Sequence, residues 1–391
     1  MEAFLLRKRK RSTDETSIVT QHIQDEDSTE IKLAILASLN PDLSQEVLLD
    51  YLLAQNGSVE EVVKVLDAAS RSNTPRKRPA ANGYQSSLTA FQIPNDKSKS
   101  KISATRPLTK KGQTLHLYSP EDVEKHTPCS ILHNFLPSAD ADALLKELLD
   151  EAPSFGRDTF QLFDKTVESP HTMAFYVDSF DEAQEQKNKY VYNGSLIADV
   201  RQTQPQMLRT SDIVRVAVNA EIERRIRDFY PKGEKLMFQT PDEWRPNTSF
   251  VNCYDGAKES VGYHADQLTY LGPRAVIGSL SLGVAREFRV RKIVPSDETS
   301  AADTQGQIAI HLPHNSLLVM HAEMQEEWKH AVAPAQAIDP HPIAGNKRLN
   351  VTYRCYQEYL HPKYTPRCKC AVPCVLRCVQ KRKATRGRYM W

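Results

Sequence analysis

Three side chains in the second half of the chain have the types and spacing to hold one metal ion. His264 and Asp266 stand two residues apart. Residues i and i+2 of an extended segment point the same way, so both can reach a single ion. A third ligand must come from another element. His330, in Glu-Trp-Lys-His-Ala-Val just after the strand-like Ser-Leu-Leu-Val-Met-His, is spaced to supply it. Two imidazoles and a carboxylate cover one face of an octahedral ion and leave three positions open, the arrangement in which non-heme Fe(II) meets oxygen. The pair two residues apart is weak by itself, because twelve histidines make a chance partner easy to find.

A second constellation follows at 348–354, Arg-Leu-Asn-Val-Thr-Tyr-Arg. With a strand's period of two, Arg348, Asn350, Thr352 and Arg354 share one face, and Leu349, Val351 and Tyr353 the other. An inward face with two guanidinium groups is costly unless it meets anions. A dicarboxylate would satisfy both through charge-assisted, often bidentate bonds. Asn252 and Tyr254, on one face of a strand shortly before His264, can add neutral hydrogen bonds. The alternative, a solvent-facing edge strand, leaves its proximity to the third ligand unexplained. Open coordination also predicts that alanine at His264 or Asp266 spares the fold.

Short apolar segments separated by turns must carry these residues. They read SFVNCY, AVIGSLSLG, EFRVRKIV, QIAIHL, SLLVMH and RLNVTYR from 249 onward. Such a series predicts a β-sandwich or barrel. Helices are expected over 139–151 and 211–230, from apolar residues at helical spacing. Residues 1–27 are polar and charged. Residues 28–69 hold three apolar clusters at helical spacing, broken at Asn40-Pro41 and Gly57-Ser58, and predict a small three-helix module. Residues 70–112 have a linker's composition, 113–364 form the main domain, and 365–391 are a Cys-rich tail.

The stretch from Trp244 to Arg354 resembles the AlkB family of dealkylating oxygenases, in particular its eukaryotic DNA-repair branch. The matching text is PNTSFVNCYDGAKESVGYHADQ, IGSLSLGVAREFRVRK, HNSLLVMHAEMQEEWKHAV and RLNVTYR, in that order. The resemblance implies an α+β chain whose core is a double-stranded β-helix, or jelly roll, with flanking helices. It implies Fe(II) on His264, Asp266 and His330, and 2-oxoglutarate on Asn252, Tyr254, Arg348, Asn350 and Arg354. With O2 these would oxidise an alkyl carbon on a base, which leaves as an aldehyde. A base must leave its stack to reach buried iron, so aromatic surfaces are needed. The family's recognition region resembles 169–177 and 189–194, which points to Tyr192 and then Tyr176. Arg286 matches an arginine commonly found near the site. The chain departs from the family at Gln267-Leu268, where acidic residues usually follow the pair, and that opens the base preference. DNA is the expected substrate, with RNA or protein, or a non-catalytic ubiquitin and DNA adaptor, as alternatives.

Residues 28–69 resemble a CUE or related ubiquitin-associated module, which implies ubiquitin as a partner. The tail resembles part of a GRF-type zinc finger, a module that binds single-stranded DNA. Cys368 and Cys370 match its first two ligands, and Cys374 and Cys378 would complete four thiolates around Zn(II). The alternative is an incomplete finger without metal. The basic run 381–388 with Tyr389 and Trp391 suits phosphate contact and base stacking. Ala-Phe-Leu-Leu-Arg-Lys at 3–8 faintly resembles a sliding-clamp motif. The net charge of +2 is too small to decide anything as a total. Locally, Arg7–Arg11 and Pro75–Pro79 predict nuclear residence. No apolar run reaches the length of a membrane span. The clustering of four among seven cysteines argues for a metal site over a disulfide scaffold.

Overall fold

The computed structural model describes residues 36, 48, 51, 52, 54, 55, 58–71, 113–162, 165–186, 189–192, 195–294, 306–380 and 386–391. The chain divides into two units, Met1–Ile93 and Pro94–Trp391. In the first, helix α1 (Val59–Arg71) begins after Ser58, whose hydroxyl accepts the Glu61 amide and so caps one orphan donor. Its Val59, Val62 and Leu66 share one buried cluster with Leu36, Leu48 and Leu52. The bounds of the two preceding expected helices lie outside the described residues. So do the clamp-like motif and both basic clusters. Among the described residues no helix is long and apolar enough to cross a membrane.

The second unit opens with β1 (Thr114–Leu117), α2 (Pro120–His126), β2 (Cys129–His133) and α3 (Ser138–Glu151). Then come β3 (Gly156–Leu162), β4 (Lys165–Val177), α4 (Phe180–Gln186), the short pair β5 (Val191–Tyr192) and β6 (Ser195–Leu196), β7 (Val200–Gln202) and the long α5 (Pro205–Phe229). From there strands dominate, as the sequence predicts: β8 (Thr248–Asp255), β9 (Val261–His264), β10 (Ile277–Gly283), β11 (Arg286–Lys292), β12 (Gln307–Leu312), β13 (Ser316–Met320), β14 (Trp328–Val332) and β15 (Lys347–Arg354). Two one-turn helices interrupt them, α6 (Leu268–Leu271) and α7 (Met324–Glu327), and the tail adds β16 (Arg377–Cys378) and β17 (Tyr389–Met390).

These strands build the jelly-roll core from two sheets. The larger runs β2-β13-β10-β15-β8-β4-β3, with β7 beside β4, and the smaller runs β1-β12-β11-β14-β9. Strand alternation sets what each face meets. Leu349, Val351 and Tyr353 of β15, with Val251 of β8 and Leu280 of β10, join Leu144, Leu145 and Leu148 of α3 and Val214 and Val218 of α5 in the main apolar cluster. Each such side chain, fully buried, contributes about 1.5–3 kcal/mol. The opposite face of the same strands is therefore left for polar residues. α5 starts six residues before the sequence pattern suggests. Its first amides, Gln206 and Met207, are capped by the Glu147 carboxylate of α3 at 2.9–3.1 Å, a remote partner for the orphan donors and positive end of the helix.

Gly283, where β10 turns into β11, has φ 84°. A Cβ there would come within 2.3 Å of the Lys347 carbonyl oxygen, and Gly283 pairs directly with Arg348. Gly283→Ala is expected to cost at least about 1–2 kcal/mol from the left-handed backbone alone, and more from the clash. Urea unfolding of the two proteins measures it, and an unchanged midpoint would refute the steric argument.

Candidate active site

The two sheets bring the candidate ligands together. His264 ends β9, His330 lies in β14, and the two residues are paired across these strands. Asp266 follows β9 by two positions. One Asp266 carboxylate oxygen, Oδ1, lies 3.3 Å from His330 Nε2 and 3.6 Å from His264 Nε2. One atom from each residue lies within 4.8 Å of the other two. His264 Nδ1 is 2.9 Å from the Gly262 carbonyl. A carbonyl only accepts, so Nδ1 carries the proton and Nε2 keeps the lone pair a metal needs. The Asp266 amide donates to Gln325 Oε1 at 2.7 Å, which fixes the backbone between the ligands.

The second carboxylate oxygen, Oδ2, accepts from Arg354 Nε at 3.1 Å and Nη2 at 2.7 Å. Burial by itself would raise the Asp266 pKa, but Arg354 and the two histidines more than offset it and hold the carboxyl well below the usual range. Burial, reinforced by His264, pushes His330 down to about 4. Asp266 is therefore an anion and His330 neutral near pH 7, the protonation states of metal ligands. Arg354 lies over the Phe250 ring, 4.5 Å from its centroid.

Behind this cluster, the polar face of the larger sheet carries the cosubstrate candidates. Arg348, Asn350, Thr352 and Arg354 alternate with the core residues of β15 as their spacing predicts. Arg348 is paired with Tyr254 and Asn350 with Asn252 on β8. Arg348 is 1% exposed. One of its nitrogens, Nη2, donates to Ser281 Oγ at 2.8 Å, while Nε and Nη1 have no hydrogen-bond partner among the described residues. Burial pushes its pKa down to about 10, so it stays a cation. Asn350 is fixed by donation to Ser279 Oγ and the Leu280 carbonyl. A buried, half-satisfied guanidinium on the same strand face as Arg354, which grips the carboxylate of the two-histidine cluster, fits an anionic, metal-chelating cosubstrate. The ligand set and this orphaned cation thus fit Fe(II) with 2-oxoglutarate.

Four site residues escaped the sequence reading. His171 reaches Asn252 Oδ1 at 3.2 Å and stacks on Tyr254, with centroids 4.8 Å apart. Phe250 supports Arg354, Ser281 holds Arg348 and Gln325 holds Asp266. Phe250 alone was within reach of the pattern, since it shares a strand face with Asn252 and Tyr254.

The substrate candidates separate. Tyr192 packs against Phe250, 5.1 Å between centroids, and lines a cavity of about 210 Å³ with Phe175, Phe250 and Met173. Its phenol is pushed up to about 12 by burial, with Arg354 and Asp266 close enough to act on it. Tyr176 points to the other face of β4. It is fully buried in the core against Phe155 and donates to Glu151 Oε2, so the cavity does not include it. Arg286 is near Tyr254, 5.8 Å from its ring, but its two Nη atoms are occupied by the carbonyls of Gly256, Glu259 and Ala333. That makes it a brace of the 256–259 turn. Gln267, at the position where the resemblance leads one to expect an acid, donates to the Val191 carbonyl and Thr269 Oγ1. Tyr270 OH accepts the Val191 amide at 3.0 Å. The segment after Asp266 therefore tethers the strand that carries Tyr192.

The tail is docked on the catalytic unit. Leu376 donates its amide to Thr269 Oγ1, and Tyr389 OH donates to Glu326 Oε1 at 3.0 Å. Tyr389 also meets Phe238 edge-on, so its ring is engaged by protein. The four cysteines are not assembled as the finger resemblance implies. Cys368 and Cys370 are joined in a disulfide, Cys374 and Cys378 are free, and the four form no metal-holding group among the described residues. Two thiols spent on one another cannot serve as thiolate ligands.

A family model described as the 2OG-Fe(II) oxygenase superfamily matches residues 128–354, more than half of the chain. The mouse (Mus musculus) alpha-ketoglutarate-dependent dioxygenase alkB homolog 3 is 35% identical over 121 residues, which is 31% of this chain and 40% of the mouse protein. The Arabidopsis thaliana DNA oxidative demethylase ALKBH2 is 32% identical over 32% of this chain and 44% of its own length. The chain thus spans about two fifths of the length of these curated relatives. The solved structure of OsALKBH1 superposes with a TM-score of 0.40 and 18% identity, covering 59% of this chain and 98% of that one.

Proposed function

This chain belongs to the 2OG-Fe(II) oxygenase superfamily, and we propose that within it the protein is an AlkB-type dioxygenase that removes alkyl groups oxidatively from bases of DNA. The observation that carries the reading is Arg348: a buried cation with two nitrogens unpartnered among the described residues, paired in register with Tyr254 and on the same face of β15 as Arg354, which grips Asp266. His264, Asp266 and His330 would hold Fe(II), and Arg348, with Asn252, Tyr254, Asn350 and Arg354, would hold 2-oxoglutarate. When bound, iron and cosubstrate supply the oxidation of an unreactive C–H bond by O2. The protein's own part is placement. Arg354 keeps Asp266 ionised, Gln325 fixes its backbone, and the aromatic cavity walls receive a base and exclude water.

The choice of a nucleic-acid base as substrate is supported by the aromatic lining around Tyr192 and by one relative named as a DNA oxidative demethylase. Arg377, Arg386 and Arg388 of the docked tail would add phosphate contacts, with Trp391, 44% exposed, as the free stacking face. A nuclear address at the two basic clusters and a ubiquitin partner for residues 28–69 complete the reading. The test incubates the full chain with Fe(II), 2-oxoglutarate and methylated DNA or RNA oligonucleotides, and follows succinate and aldehyde. Aldehyde from DNA in step with succinate is expected. Aldehyde only from RNA would move the substrate class, and none from either would reject the dealkylase reading.

Tyr192→Ala is expected to weaken use of the oligonucleotide without removing the iron chemistry. Base stacking is worth roughly 1–3 kcal/mol, so kcat/KM for the oligonucleotide should fall on the order of 10- to 100-fold. Substrate-independent succinate formation should persist. Tyr176→Phe should leave both rates near the parent's, and a large loss there would return Tyr176 to the substrate site.

A further inference from the structure

A second group of metal-ligating side chains lies on the smaller sheet, on the face turned away from His330. β11, β12 and β1 are adjacent there, with Glu287 paired to His311 and His116 paired to Ala309. Phe288 and Val290 point inward beside His330, so Glu287 points out. His116 Nδ1 lies 3.0 Å from His311 Nε2 and 3.6 Å from Glu287 Oε1. One donor atom from each residue falls within 4.8 Å of the other two. We propose that His116, His311 and Glu287 form a second divalent-metal site, suited to Zn(II), which fastens β1 to the sheet.

The geometry agrees with the ion. Ligands about 2.0–2.2 Å from a tetrahedral zinc stand roughly 3.3–3.5 Å apart, and two of the observed separations bracket that. Two imidazoles and a carboxylate leave the fourth position for water, which the partial exposure of all three side chains permits. The ligands are also held. Tyr118 stacks on His311 at 4.2 Å and 11°. Arg289 takes the other carboxylate oxygen, Glu287 Oε2, at 2.7 Å and leaves Oε1 for the ion.

The site has a plain structural use. Among the described residues β1 is the edge strand of its sheet and pairs only with β12. A metal shared by three strands would hold that edge against fraying and block its pairing with another chain.

The test titrates Zn(II) into the full chain against a chromophoric chelator, with His264→Ala run in parallel so that the iron site is counted separately. The parent should bind one more equivalent than His116→Ala or Glu287→Gln, both changes at partly exposed positions. In the His264→Ala background zinc should raise the Tm by a few degrees, and it should no longer do so once His116→Ala or Glu287→Gln is added, while Fe(II)-dependent turnover of the zinc-free parent, His116→Ala and Glu287→Gln is equal. If both variants bind as much zinc as the parent, the three side chains are joined by hydrogen bonds only and the proposal fails. That outcome would leave the dealkylase reading untouched, because none of these residues borders the iron cluster.

Discussion

His264→Ala is expected to abolish succinate formation while the protein unfolds within about 1 kcal/mol of the parent, the typical cost of a point substitution, because Asp266 keeps Arg354. Outer partners of metal ligands already cost about 10- to 100-fold when removed, so loss of a ligand itself should exceed that. The His264 side chain is 37% exposed, and its removal strands no buried charge. Asp266→Ala should lose activity equally but also lose stability, contrary to what an open coordination site suggests. The Asp266 and Arg354 side chains are 3% and 9% exposed. Removing the carboxylate leaves a buried guanidinium without its anion, a change that costs about 3–5 kcal/mol. Asp266→Asn keeps the shape and should unfold between the two. Full succinate production by either alanine variant would refute the ligand assignment. Equal unfolding free energies for the two would refute the buried pair.

That difference between the two ligands marks the limit of what sequence alone conveys. The ligand spacing, the two-faced β15 and the run of late strands were legible because each is a local periodicity. β15 reads correctly residue by residue, since its apolar face must enter the core and its polar face must then share the other side. What local pattern cannot carry is which partner a charge will find. Arg348 and Arg354 look equivalent in the sequence, yet one meets a serine and the other the aspartate ligand. The start of α5 was missed because its cap, Glu147, is 59 positions away from Gln206 in no local motif. Strand alternation, together with the placement of β5, separates Tyr176 from Tyr192. Tyr176 sits one residue from Phe175 on β4, and that single step sends it to the opposite face, into the core behind the sheet. The docking of the tail rests on isolated contacts such as Tyr389 with Glu326, which have no periodicity to read.

Arg348→Lys is expected to raise the KM for 2-oxoglutarate steeply with little change in iron affinity. The guanidinium offers two free nitrogens, Nε and Nη1, in a fixed plane, and its third, Nη2, is held by Ser281. Donors held in fixed directions in one plane suit carboxylate oxygens, and an ammonium on a flexible stem cannot reproduce them. Hydrogen bonds to charged groups are worth about 1.5–3 kcal/mol, so KM should rise by roughly 10- to 100-fold. Arg354→Lys differs in kind. Its Nε and Nη2 are committed to Asp266, and only Nη1 is free. That substitution should weaken Fe(II) binding together with cosubstrate binding, because it loosens a ligand. Measuring the Fe(II) and 2-oxoglutarate requirements of both variants separates the roles. Should Arg348→Lys leave the 2-oxoglutarate requirement unchanged, the buried cation does not meet the cosubstrate. Should the two variants shift both requirements in parallel, the division between an anion-binding arginine and a ligand-supporting arginine is wrong.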